Sequence, residues 1–214
     1  MQAGETEQSK ETGRIEAFSD GVMAIAITLL VLDIKVPRDL PEDARLLDAL
    51  LAQWPAYFAF VTSFATIGIM WINHHRLFTL IKRSDQMLLV LNSLLLLGIT
   101  FVPFPTSLLA EYIGEPHQQT AALVYSGTFV VTAICFNLLW RYASYKNRLL
   151  DPASDPLAVQ AISRQYLFGP LFYLVAFGLA FVSGVASLAV NLLLAVFFAL
   201  PARRPRTTFD DSRT

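Results

Sequence analysis

Residues 165–202 read QYLFGPLFYLVAFGLAFVSGVASLAVNLLLAVFFALPA, and not one of them is charged. A helix needs roughly 20 apolar residues, each rising about 1.5 Å, to cross the hydrocarbon core of a bilayer. This stretch is roughly twice that length, and Ser183-Gly184 supplies a short turn inside it. It therefore reads as two membrane-crossing helices in an antiparallel hairpin. A large buried helical core would instead need helices with a strongly polar face. From Phe181 to Leu200 the only polar side chains are Ser183, Ser187 and Asn191, which do not make one.

Outward from this hairpin the pattern repeats. Gln86 to Leu109 is also free of charge, and the whole 214-residue chain is 55% hydrophobic and 15% charged, against about 25% charged in a soluble domain. Helices are expected near 15–34, 54–77, 84–109, 120–142, 163–182 and 184–200. The expected fold is all-α and polytopic, with six transmembrane helices. A polar tail at 1–13 would precede a six-helix unit at 14–201, and a basic, disordered tail would follow at 202–214. Pro37, Pro41 and Pro55 bracket the first connection, and Asp151-Pro152 and Asp155-Pro156 mark turns in the fourth. Met1 to Thr12 lacks the apolar stretch of a signal peptide, so the first helix is expected to stay in the mature protein.

The basic residues give orientation. With six crossings, Lys10, Arg14, Arg76, Lys82, Arg83, Arg141, Lys146, Arg148, Arg164, Arg203, Arg204, Arg206 and Arg213 share one side, thirteen of the sixteen. Only Lys35, Arg38 and Arg45 remain on the other. Both termini are then cytoplasmic, in a multi-pass protein of the cell (inner or plasma) membrane. A net charge of −1 leaves no basic patch for nucleic acid. Cys135 is the only cysteine, so it forms no intrachain disulfide and reads as a small hydrophobe. No nucleophile elbow, phosphate loop or zinc spacing appears, which makes an enzyme the least favoured class.

The first helix differs from the rest. Arg14-Ile-Glu-Ala-Phe18-Ser19-Asp20 opens it, and Asp20 lies about 9 Å in from its start at helical rise. An intramembrane carboxylate costs about 1–3 kcal/mol unless it finds partners. With Ile25 at zero, Leu29 falls at about 40°, Leu32 at about −20° and Thr28 at about −60°, whereas Asp20 is about 140° away. The acid and the stripe Ile25, Thr28, Leu29, Leu32 therefore face different neighbours. Spacing alone leaves the stripe open to helix packing or lipid contact as well as to function.

Trp71-Ile72-Asn73-His74-His75-Arg76 closes the second helix at the same depth, and Asn92 of the third returns to it. Arg14, Ser19, Asp20, Asn73, His74, His75 and Asn92 are expected to form one polar layer, because buried polar groups in hydrocarbon need partners. Such a layer could simply fix helix register. Adjacent histidines point about 100° apart and make poor joint metal ligands. Pro103 and Pro105 are expected to kink or end the third helix.

These residues resemble the transmembrane protein 175 family of endosomal and lysosomal potassium channels, in its prokaryotic branch. The signature Arg-x-x-x-Phe-Ser-Asp is matched by Arg14, Phe18, Ser19 and Asp20, and the runs Trp71-x-Asn73-His74-His75 and Phe101-x-Pro103-Phe104-Pro105-Thr106 also look like the family. The resemblance runs from Arg14 to Leu200. It implies a homotetrameric cation channel, weakly selective for potassium over sodium, with no cofactor and potassium as the permeant ion. It also implies that Ile25, Thr28, Leu29 and Leu32 line the pore, with Ile25 and the leucines as a hydrophobic constriction. Arg14, Ser19 and Asp20 would anchor the helix from behind, with His75 or Asn92 as partners. The rival reading is a secondary or proton-coupled transporter that relays protons between Asp20 and His75, although no internal repeat of the kind transporters carry is visible. A membrane scaffold is a third.

Overall fold

The computed structural model describes residues 2–38, 40–41 and 43–199. Among them the chain is helical, in the order α1 (Gln2–Leu29), a 3₁₀ turn (Leu30–Asp33), α2 (Leu46–Ala52), α3 (Trp54–Leu80), α4 (Gln86–Phe101), α5 (Pro103–Tyr112), α6 (Gln118–Ser144), a second 3₁₀ turn (Tyr145–Asn147), α7 (Pro156–Ala180) and α8 (Gly184–Ala199). The expected basic tail at 202–214 lies outside the described residues. Four stretches are long and apolar enough to cross a membrane, at Lys10–Asp33, Trp54–Leu80, Gln86–Tyr112 and Gln118–Asn147. Gly184–Phe198 is apolar but shorter, and α7 carries Arg164, Gln165 and Pro170 within its length.

Local chemistry explains where these helices begin and break. Asp85 caps α4 by accepting the Leu88 N–H at 2.9 Å, and Asp155 caps α7 by accepting that of Leu157 at 2.9 Å. Pro156 follows at the first helical position, where its missing N–H has no intrahelical use. The dipeptide expected as a plain turn thus starts α7 earlier than the apolar pattern does. Pro103 ends α4 and opens α5, and the N–H of Val102 takes up the Ile99 carbonyl at 3.1 Å. Pro170 removes the donor that the Tyr166 carbonyl would find one turn on. Asn137 Nδ2 of α6 donates to that carbonyl instead, at 2.7 Å. The short α2, in the connection expected to be a loop, leaves Leu46, Leu47 and Leu51 exposed.

Within the bundle α6 is the scaffold, with α4 and α5 on one side and α7 and α8 on the other. Of its apolar stretch 61% is buried inside the subunit, against 28–33% for the other three long helices. Those three therefore keep faces that the subunit does not cover. Helix α1 packs against α3 and α4 at the edge of the bundle.

At one end the α3–α4 and α6–α7 connections are clasped together. Ile81 and Leu150 form an antiparallel bridge, and the N–H groups of Lys82 and Arg83 both donate to the Leu149 carbonyl, at 3.0 and 3.1 Å. Lys146 and Asn147, at φ 53° and 52°, adopt the left-handed conformation that turns the chain there. Asp85 accepts from the Tyr142 hydroxyl at 2.6 Å and from Arg148 Nη2 at 3.0 Å. Partial burial alone would raise its carboxyl. The Tyr142 hydroxyl, the Leu88 amide and the Arg148 charge outweigh that and hold it below the usual range.

Candidate functional site

Helix α1 is divided lengthwise. Ile15, Ser19, Met23, Ala26 and Leu30 recur every three or four residues and are all buried against the bundle. The opposite side carries Phe18, Ile25, Thr28, Leu29 and Leu32, and these are exposed; Ile25 is 60%, Leu29 43% and Leu32 63% accessible. The stripe marked out by the helical angles is thus one continuous face turned away from the subunit's own core. The Thr28 hydroxyl donates to the Ile25 carbonyl at 2.8 Å, so its proton is satisfied within the helix.

One detail of that stripe departs from the α-helical projection. The last turn, Leu30–Asp33, is 3₁₀, in which side chains three apart eclipse. Leu32 therefore stacks over Leu29 and does not flank Ile25 at about −20°, as the angle of about 100° per residue implied. Lys35 Nζ closes the turn by donating to the Leu32 carbonyl at 2.9 Å.

The expected polar layer is present but divided in two. Its buried part is a directional chain. His74 Nε2 donates to Asn92 Oδ1 at 2.9 Å, Asn92 Nδ2 donates to Ser19 Oγ at 3.0 Å, and the Ser19 hydroxyl donates to the Ile15 carbonyl at 2.8 Å. Because Asn92 Oδ1 can only accept, this chain assigns the His74 proton to Nε2. His74 is fully buried and stacks on Phe78 with ring centroids 4.4 Å apart, and its Nδ1 has no partner among the described residues. Three helices, α1, α3 and α4, are joined by this chain without a formal charge.

The second part lies at the surface and has other partners than the sequence suggested. Asp20 accepts from Trp71 Nε1 at 2.8 Å, not from His75 or Asn92. His75 pairs with Glu16 at 2.6 Å and stacks on Trp71 at 6.2 Å between centroids. Neither Glu16 nor Trp71 was among the residues expected to join helices. The signal was in the spacing: Glu16 precedes Asp20 by four and Trp71 precedes His75 by four, so each pair shares a helix face. His74 faces the bundle and His75 the surface, as two residues about 100° apart must when one is buried. Asn73, although buried, lies on another side of α3, against a cavity shared with α7. Arg14 and Phe18 are exposed, and Arg14 makes no ion pair or hydrogen bond among the described residues. The seven-residue layer thus resolves into a three-residue chain, a surface cluster around Trp71, and two residues outside both.

Comparison with known proteins places these features in a lineage. The family described as the endosomal/lysosomal potassium channel TMEM175 matches residues 14–103. A protein of Chamaesiphon minutus, named a potassium channel, is 54% identical over 92% of this chain and 97% of its own. The crystal structure of a lysosomal potassium-selective channel TMEM175 homologue from that organism superposes with a TM-score of 0.80 at 53% identity, over 89% of this chain and 97% of the other. Human TMEM175, named an endosomal/lysosomal proton channel, is 36% identical over 63% of this chain, which matches 28% of the human protein. The relatives are channels and not enzymes, and the bacterial match over nearly the full length makes this a multi-pass protein of the cell membrane. The Arg14-to-Asp20 signature, the helical architecture and the full-length similarity agree: the chain belongs to the TMEM175 potassium-channel family.

Proposed function

We propose that four copies of this chain surround an ion path lined by α1 and conduct potassium in modest preference to sodium. The observation that carries the reading is the division of α1. One face is packed and hydrogen-bonded to α3 and α4, while Ile25, Thr28, Leu29 and Leu32 face away from the subunit. Around a fourfold axis those side chains form successive rings. Ile25 makes an apolar neck that dewets when narrow, and Leu29 with the eclipsed Leu32 extends it. Thr28 adds hydroxyl oxygens that can accept toward a passing cation. Potassium sheds water more easily than sodium, so such a neck favours it without a carbonyl filter.

The proposed topology has six crossings with both termini in the cytoplasm. The tight turn at Phe181–Ser183 joins α7 and α8, so they cross together. At about 24 Å for its 16 described residues, α8 fits a slightly thinned bilayer. Thirteen of sixteen basic residues on one side support the same count. The proton-relay transporter loses its geometry, because Asp20 and His75 bond to Trp71 and Glu16 and not to each other.

Flux of potassium, sodium and protons into liposomes containing the purified protein tests the reading. Ile25→Asn wets the neck and is expected to raise potassium flux about tenfold or more, equivalent to about 1.4 kcal/mol of barrier, and to lower discrimination against sodium. Absence of potassium flux from both proteins would sink the channel assignment.

A further inference from the structure

From the polar side chains that reach it from α3 and α7, we infer that a small, half-open cavity among the helices is a binding site for ordered water, close to the point where Pro170 removes one intrahelical bond of α7. The cavity lies among α3, α6, α7 and α8 and has a volume of about 40 Å³. By the same measure a water molecule needs about 10–15 Å³, so two or three fit. Its lining is mostly apolar, with Phe136 and Phe198 among the walls, and Thr66, Asn73, Tyr166 and Tyr173 are the polar residues on it.

Three side chains on this cavity carry hydrogen-bonding groups with no partner among the described residues. The Tyr166 hydroxyl is buried with no bond among the described residues. Tyr173, 9% accessible, and Asn73, 7% accessible, likewise bond to no described residue through their polar side-chain atoms. A fourth, Thr66, donates to the Thr62 carbonyl at 2.8 Å and keeps its oxygen lone pairs to accept. Two hydroxyl donors, an amide and a hydroxyl acceptor thus line one space, and a buried water typically makes about three such bonds. By contrast Tyr125, 1% accessible, is hydrogen-bonded to Ser63. Leaving several such groups bare inside one membrane protein is costly, and water at this site satisfies them together.

The sequence explains why the site is here. Pro170 releases the Tyr166 carbonyl, which Asn137 captures at 2.7 Å, so α7 loses one intrahelical bond without an orphaned backbone group. Gly169, beside Pro170, contributes no side chain to the cavity, and a Cβ there would stop 3.5 Å from the Phe198 ring. Gly169 leaves room beside Phe198, and the two tyrosines and Asn73 bring polar groups to an otherwise largely apolar space.

Hydroxyl-radical footprinting by X-ray radiolysis, on the full-length protein in lipid nanodiscs, tests this, because radicals formed from a bound water label the side chain beside it. Tyr166 and Tyr173 are expected to be modified at least threefold faster than Tyr125, and Gly169→Ala, which narrows the cavity without a clash, to slow labelling of Tyr166. Equal protection of all three tyrosines would overturn the inference. Tyr166→Phe supplies an independent sign: a water-bonded hydroxyl makes this change lower the thermal midpoint, whereas a bare hydroxyl makes it neutral or stabilising. If Tyr166→Phe fails to fold, the wild-type labelling ratio decides alone.

Discussion

Two regions join distant helices through polar side chains, and they use opposite chemistry. Inside the bundle, His74, Asn92 and Ser19 link α3, α4 and α1 through neutral groups in a one-way chain. At the loop end, Asp85, Tyr142 and Arg148 link α4 to α6 and its following turn through formal charges. The difference follows from the medium. A charge inside the bundle must be paired or pays for its dehydration, whereas an amide or hydroxyl needs only one or two bonds. In water the charged clasp is affordable and is screened, so it fixes geometry more than it stabilises. A third cluster follows the inner rule: Ser126 and Ser187 share a hydrogen bond at 2.7 Å and Asn191 Nδ2 donates to Ser126 at 2.9 Å, all without charge.

The largest expected effect comes from breaking the inner chain at its middle. Asn92→Ala leaves His74 Nε2 without its acceptor and Ser19 without its donor, and should destabilise the protein by about 1–2 kcal/mol in detergent unfolding. A double-mutant cycle with Ser19→Ala should return a coupling of about 0.5–1 kcal/mol, since the two share a bond. Because the chain holds α1, the Asn92 variant should also yield less of the assembled channel on size exclusion. An unchanged unfolding midpoint would mean that the chain only records register.

Asn191→Ala sharpens the contrast within hydrocarbon. It removes two donated bonds, to Ser126 and to the Ser187 carbonyl. Yet Ser126 and Ser187 stay bonded to each other, and Ser187 keeps its bond to the Ala176 carbonyl at 2.7 Å. The Asn191 carbonyl oxygen has no partner among the described residues, so deleting it costs nothing. The expected loss is about 0.5–1 kcal/mol, with assembly unaffected because α1 is not involved. A loss of assembly equal to that of the Asn92 variant would erase the distinction between an anchoring chain and a packing one.

Much of this was legible in the sequence, and what was not has physical causes. Hydropathy placed α3, α6 and α8 to within a few residues, because an apolar stretch of span length leaves few alternatives. Helix α1, however, begins at Gln2, thirteen residues before the expected start, since hydropathy marks the span and not its polar helical extension. The 100° angle separated Ile25, Thr28 and Leu29 from Ser19 and Asp20 on α1, since helix geometry is local. Partner choice was not local. Asp20 reached Trp71 because the indole of α3 lies across from it, which depends on how α1 and α3 pack. Leu32 was misplaced in angle because the switch from α to 3₁₀ at Leu30 leaves no residue signature. The start of α7 was missed for the opposite reason: Asp155-Pro156 fits both a turn and a helix N-terminus, and only the Leu157 bond decides.

The smallest expected effect tests the charged clasp. The carboxyl of Asp85 titrates lower in the folded protein than in the unfolded chain. A depressed folded value contributes stability above the unfolded pKa of about 4, and that contribution disappears as pH falls through the folded one. Screening at this partly exposed site holds it under about 1 kcal/mol. Asp85→Asn should therefore lower stability slightly at pH 7 and narrow the gap to wild type as pH falls below about 4. It also exchanges the α4 cap for another good capping residue, so the helix start itself is preserved. High salt should shrink the difference at pH 7 and leave that of Asn92→Ala untouched, because ions screen the clasp but do not enter the bundle. If salt weakened both alike, the two regions would not differ in medium, and the contrast between neutral and charged joints would have to rest on something else.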